Sequence, residues 1–297
     1  MSAIPTKSTV SPRVRKCGFC THEMPISRTT CPHCGRPSFF PNVDMANLPE
    51  ERTRLEQRVQ NAESVCDAAG TIDVAEHFRN ACNASQAVFA CHIEKLHREI
   101  ATGTELFEGY YELERLRLRA EAPKDFDWQK LRPQAEIELL GSEQHILQNQ
   151  QLHYACLTIA GEGLENYGEC RVILADAMIS HRASCFEGNT AVIYSKHGTF
   201  KDFLRSPWED RGSLAFATFA STLDLSSTPG DFSRILVSSR ATSADDKFVE
   251  VHVFGPITSH SFDQVQIDCK THDRDQKTLA SIVQARLTIA KVPTTIT

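Results

Sequence analysis

The sequence predicts an α+β protein in three parts: a small cysteine-rich module over residues 1–40, a central helical region over 41–150, and a mixed, mainly antiparallel sheet domain over 151–297 that ends in a helix. Three observations carry this reading. Four cysteines fall into two Cys-x-x-Cys pairs near the start. Apolar residues then recur at steps of three and four, the period of a helix face. Beyond residue 150 the apolar runs shorten and alternate with Gly, Pro, Ser and Asp, the pattern of strands and turns, before a last helical stretch.

The first part reads "CGFCTHEMPISRTTCPHCGR". Cys17 and Cys20 form one pair, ten residues intervene, and Cys31 and Cys34 form the second. Each pair presents two thiolates from one backbone knuckle, and two knuckles complete a closed tetrahedral shell. Gly18 and Gly35 relieve crowding where the backbone turns. Four thiolates leave His22 and His33 spare. A redox Cys-x-x-Cys is the competing reading, and two pairs at this spacing argue against it. Residues 15–38 resemble a zinc ribbon, which implies a zinc cofactor bound by Cys17, Cys20, Cys31 and Cys34. It also implies folding support, or docking of a protein or nucleic-acid target. Residues 1–40 carry six Lys/Arg against the single acidic Glu23. Four thiolates around one divalent ion lower that surplus by about two charges.

The remaining composition bounds the class. The chain has 297 residues, 41% hydrophobic, with a net charge of -6. No apolar run reaches the ~20 residues of a membrane span, and "MSAIPTKSTVSPRVRK" lacks an apolar signal core. A soluble, cytoplasmic protein is expected. The seven cysteines outside the pairs (Cys66, Cys82, Cys91, Cys156, Cys170, Cys185, Cys269) are scattered and odd in number, which fits thiols in a reducing compartment. Residues 41–150 carry 12 Lys/Arg against 20 Asp/Glu, read as a solvated helix face.

In the central part, Leu55, Val59, Ala62 and Cys66 form one stripe, opened by Pro49 and closed by Gly70. Phe78, Cys82, Ser85, Phe89, His92, Leu96 and Ile100 continue at helical steps, predicting one helix over about 72–102. Leu106, Tyr110 and Leu113 lead a third segment ended by Pro123. A fourth runs from about 127 to 151, with Pro133 and Gly141 as candidate breaks. A helical bundle or arm is expected.

In the last part the predicted strands are 152–158, 170–174, 191–195, 214–219, 234–239, 248–254 and 264–268, followed by a helix over 273–291. No Gly-rich phosphate loop, Gly-x-Ser-x-Gly elbow or His-Glu-x-x-His helix occurs. Kinases, P-loop NTPases, common serine hydrolases and zinc peptidases are therefore poor matches.

Polar residues inside these apolar strands mark four places: His153-Tyr154; His181, Arg182, Glu187 and Asn189; Ser221-Thr222; and Glu250 with His252. In "DDKFVEVHVFGPI" Val249, Val251 and Val253 share one strand face. Phe248, Glu250, His252 and Phe254 share the other, a mixture that a partly enclosed cleft would explain. The order His or Arg, then Ser-Thr, then Glu resembles mono-ADP-ribosyltransferase toxins and effectors. That resemblance implies NAD as substrate, with His153 or Arg182 holding it and Glu250 catalytic beside the ribose. Tyr154, Ser221, Thr222 and His252 would support the cofactor pocket. Two positions depart from the pattern: Leu223 follows Ser-Thr, and Phe248 stands where arginine-modifying members carry an acid. The same residues also admit structural roles. Glu250 could be an edge-strand carboxylate paired with Lys247 or Arg240. Arg182 could pair with Glu187 or Asp176. Ser221 and Thr222 could form a turn. A zinc-ribbon adaptor without enzymatic activity, binding protein or nucleic acid, is the alternative, and a hydrolase or nuclease ranks third.

Overall fold

The computed structural model describes residues 14–17, 22–25, 28, 30–35, 40–101, 128–141, 152–242 and 244–297. They group into two compact units, Met1–Phe40 and Pro41–Thr297. In the first, β1 (Val14–Lys16) and β2 (Glu23–Pro25) form an antiparallel hairpin with Val14 opposite Pro25. Met24 of β2 is buried with Cys17 and Cys31 in a small core of its own.

The second unit begins with α1 (Pro41–Ala46), α2 (Pro49–Ala68) and α3 (Ile72–Asn83). Strand β3 (Gln86–Cys91), α4 (Ile93–Ala101) and α5 (Trp128–Leu140) follow. Then come β4 (Leu152–Thr158), β5 (Cys170–Leu174), α6 (Asp176–Ile179), β6 (Ala183–Phe186), α7 (Thr190–His197) and β7 (Arg205–Pro207). The last elements are α8 (Arg211–Phe219), α9 (Pro229–Leu236), β8 (Glu250–Phe254), β9 (Phe262–Ile267), α10 (Arg274–Ile289) and β10 (Thr294–Ile296). The fold is mixed α+β. Its eight strands form one sheet in the order β10-β9-β5-β3-β4-β8-β6-β7. Of its neighbouring pairs, β9 and β10 run parallel and the others antiparallel.

The central part departs from expectation. The helix predicted over 72–102 breaks after Asn83, and residues 86–91 become a strand between β5 and β4. A strand in the middle of a sheet is covered on both faces and shows no clean alternation. A three-and-four stripe can therefore be drawn straight through it. Residues 41–101 are thus not a purely helical region. The third predicted segment, 106–123, lies outside the described residues. Pro133 sits inside α5 without ending it.

Three predicted strands are helices. Residues 191–195 lie in α7, 214–219 in α8, and 234–236 close α9. Local caps explain two of them. The Asn189 side chain accepts from the Val192 amide at the start of α7, and Gly198 ends it with φ +68°. Thr228 and Asp231 form a capping box at α9. Strands β6, β7 and β10 were not foreseen as strands. The predictions at β4, β5, β8, β9 and α10 hold to within a few residues.

The large core joins Val249, Val251 and Val253 to Phe78 of α3, Leu214 and Phe216 of α8, Leu236 of α9, and Val283 and Leu287 of α10. Among the described residues no helix is long and apolar enough to cross a membrane.

Candidate metal centre and the residues around Glu250

In the first unit the β1–β2 hairpin brings Cys17 to the end of β1. Its amide donates to the His22 carbonyl, just before β2, at 2.9 Å. The second knuckle closes where the Gly35 amide, at φ +71°, donates to the Cys31 carbonyl at 2.9 Å. The sulfur atoms of Cys17, Cys31 and Cys34 all lie within 4.8 Å of one another, and these residues could hold a metal ion. The Cys17 and Cys34 sulfurs are 3.7 Å apart. Cys17 and Cys31 are buried and Cys34 half-buried. Cys20, the fourth expected ligand, lies outside the described residues. The spare His22 and His33 stack ring on ring at 5.1 Å.

In the second unit Glu250 and His252 sit on β8, hydrogen-bonded to β4 on one side and β6 on the other. Glu250 is therefore not at an edge and pairs with neither Lys247 nor Arg240. One carboxylate oxygen accepts the Thr190 amide at 2.7 Å, at the N-terminus of α7, where the helix dipole favours negative charge. The same oxygen lies 3.5 Å from Nε2 of His252. That nitrogen is buried and has no hydrogen-bond partner among the described residues.

Residues directly opposite in an antiparallel pair share a face. Tyr154 stands opposite His252, and its ring meets the imidazole edge-on at 5.1 Å. Phe186 stands opposite Glu250 and stacks on the His252 ring at 6.1 Å. The Tyr154 hydroxyl donates to Glu136 of α5 at 2.8 Å, and Arg132 donates to the same oxygen at 2.7 Å. The Arg132 guanidinium also lies over the Tyr154 ring at 4.4 Å. Burial, more than its charged neighbours, pushes the Tyr154 phenol well above its ordinary range. Tyr167 is partly exposed nearby, and its hydroxyl accepts from Asn189 at 3.0 Å. This face thus gathers a carboxylate, an imidazole and a phenol, groups suited to acid–base work.

The expected NAD-binding set does not assemble. His153 stands opposite Val253, on the far face of the sheet from Glu250. It is buried, and its pKa falls to about 3 through burial first, then the charges of Lys95, Arg182 and Arg132. Arg182 is spent on backbone: its guanidinium donates to the carbonyls of Met178, Phe254 and Pro256 at 2.8–2.9 Å. It pairs with neither expected acid. Glu187 meets Arg58 at 3.6 Å, and Asp176 accepts from the Trp208 indole. Ser221 and Thr222 are exposed in a turn after α8, where the Thr222 hydroxyl donates to the Phe219 carbonyl. Of the expected site, Glu250, His252 and Tyr154 come together. Asn189, one of the marked polar residues, lies beside them, whereas Arg132, Glu136 and Tyr167 are new around them. The Arg132–Glu136 pair, four apart on a helix, was the available signal.

No protein-family model matches the sequence, and the search of curated proteins returns no match.

Proposed function

We propose that residues 1–40 form a four-cysteine zinc ribbon that docks a protein or nucleic-acid partner onto a chain whose larger part is a folded α+β body. One observation carries this reading. A tetrahedral shell with Zn–S bonds of about 2.3 Å places its sulfurs about 3.8 Å apart, and the Cys17–Cys34 separation of 3.7 Å meets that spacing. Cys31 lies within the same group and Cys20 would complete it. The basic surplus of residues 1–40 supports a docking role.

Metal analysis of the purified chain is expected to give one zinc per molecule, lost in Cys31→Ser. A chain without metal, or a variant that keeps it, refutes the ribbon. Binding to a labelled oligonucleotide that collapses with added salt identifies nucleic acid as the partner. Binding without salt dependence, or none, points to protein.

A second reading, an NAD-consuming transferase acting through Glu250, rests on the buried Glu250–His252 contact beside Tyr154. It requires nicotinamide release that Glu250→Gln abolishes. Wild-type protein that releases none ends it.

A further inference from the structure

Cys91 is the last residue of β3 and Cys170 the first of β5, and the register sets them directly opposite each other. Opposed residues in an antiparallel pair have Cα atoms about 4.5–5.5 Å apart, inside the span of about 4.4–6.8 Å that a disulfide requires. The two side chains leave the same face of the sheet. Both are thiols, and both are buried.

The surroundings hold the pair in register. Gly168, at φ +125°, presses so closely on Cys91 that a Cβ there would meet the Cys91 carbonyl. Glu169 follows, accepting from the Ile93 amide at 2.8 Å and contacting His92 at 2.9 Å. These bonds fasten the start of β5 to the turn after β3. The pair also lies at a strand end, one residue from the exposed His92. A small opening of that end, rather than of the whole sheet, would admit an oxidant.

We propose that Cys91 and Cys170 are a redox-active dithiol that closes to a cross-strand disulfide under hydrogen peroxide. The reaction balances in two steps. The Cys91 sulfur attacks one peroxide oxygen, the O–O bond breaks, and one water leaves with a sulfenic acid on Cys91. The Cys170 sulfur then attacks the sulfenic sulfur, the S–O bond breaks, and the second water leaves. Two thiols lose two hydrogens and two electrons, and one peroxide becomes two waters. Cys91 is assigned the first step because it adjoins the exposed His92 at the strand end. The hydrogen bond with Cys91 first, and burial second, hold the Cys170 thiol protonated, far above its usual range. Cys170 stands directly opposite Cys91 in the register and is the resolving thiol, reacting when the strand end opens.

The other buried cysteines are internal controls. Cys156 stands opposite Glu250 and Val88, and Cys185 opposite Val251 and Ser206, so no thiol stands across from either in the sheet. Cys269 is the competing partner, since the Asp268 amide just before it donates to the carbonyl of Glu169, the residue before Cys170, at 3.1 Å.

The test treats folded, zinc-loaded protein with hydrogen peroxide, blocks free thiols, and maps linked peptides by mass spectrometry. The expected product joins the peptides of Cys91 and Cys170, is two hydrogens lighter than the dithiol, and is reversed by dithiothreitol. Cys156 and Cys185 should remain blockable only after unfolding. The proposal is overturned if Cys170 links instead to Cys269. It is equally overturned if the Cys91–Cys170 link forms only in denaturant, or if no link forms. The decision rests on the wild-type chain. Cys91→Ala, if it folds, should abolish the product, and a persisting product at that mass would overturn the assignment.

Discussion

Arg182 ties two segments together with its guanidinium alone: the Met178 carbonyl behind it, and those of Phe254 and Pro256 at the end of β8. Burial lowers its pKa to about 10, so it remains charged at neutral pH. Truncating it leaves three carbonyls without this donor. Arg182→Met should cost about 2–4 kcal/mol, read by denaturant unfolding, because each buried orphan costs about 1–3 kcal/mol and some will find water. A loss below about 0.5 kcal/mol would show that solvent replaces the guanidinium freely. His153 makes a separate prediction through pH. The unfolded imidazole takes its proton near about 6.5, whereas the folded one waits until about pH 3. Between those values the unfolded chain binds more protons, so stability falls as pH drops through the window. The wild type should lose up to about 1.4 kcal/mol per pH unit there relative to His153→Leu. Parallel unfolding curves for the two proteins from about pH 6 to about pH 4 would contradict a buried neutral imidazole.

At the scale of elements, α7 depends on its cap. Asn189 accepts the Val192 amide at 3.2 Å and precedes the Thr190 amide that Glu250 receives. Asn189→Ala should destabilise the protein by about 1 kcal/mol, with a range of about 0.5–2. Glycine at the same position should cost only a few tenths, and calorimetry separates the two. Position in the sheet predicts exchange as well. Amides of β3, β4 and β8 should exchange only with global unfolding, while those of the edge strand β10 exchange through local opening. What the sequence disclosed follows the same physics. Strand β9 was legible because its burial alternates: Val265 and Ile267 are buried, while Asp263, Gln264 and Gln266 are more exposed. Strand β8 was legible too, but it is no half-open cleft, because β4 and β6 flank it and all five residues are buried. Strand β3 was hidden for the same reason. Helices α7 and α9 were signalled by Asn189 and by Thr228-Pro229, caps that the short apolar runs "AVIYS" and "RILVSS" outweighed. Of the candidate sites, the thiol cluster was legible because its ligands are close in sequence. The grouping around Glu250 was not, since Tyr154 reaches it through the sheet's register, and Thr190 and Glu136 come from the distant helices α7 and α5.

For the whole molecule, the two compact units predict separable stabilities. With the proposed zinc bound, chelation should release it and unfold residues 1–40, because a structural zinc site supplies most of such a module's folding energy. The thermal transition of residues 41–297 should stay within a degree or two, a small change for a domain of this size. A shared loss of both transitions would mean that the units fold as one. The position of β3 also bears on synthesis. It is made early, yet its sheet partners β4 and β5 begin only at Leu152 and Cys170, and β8 and β9 lie beyond residue 249. Pairings so distant in sequence form slowly. While the ribosome is still translating those partners, Val88, Phe89 and Cys91 have no sheet to enter. The nascent chain carries a sticky, unpaired segment from Cys91 until β4 and β5 are complete at Leu174, a segment that chaperones would shield.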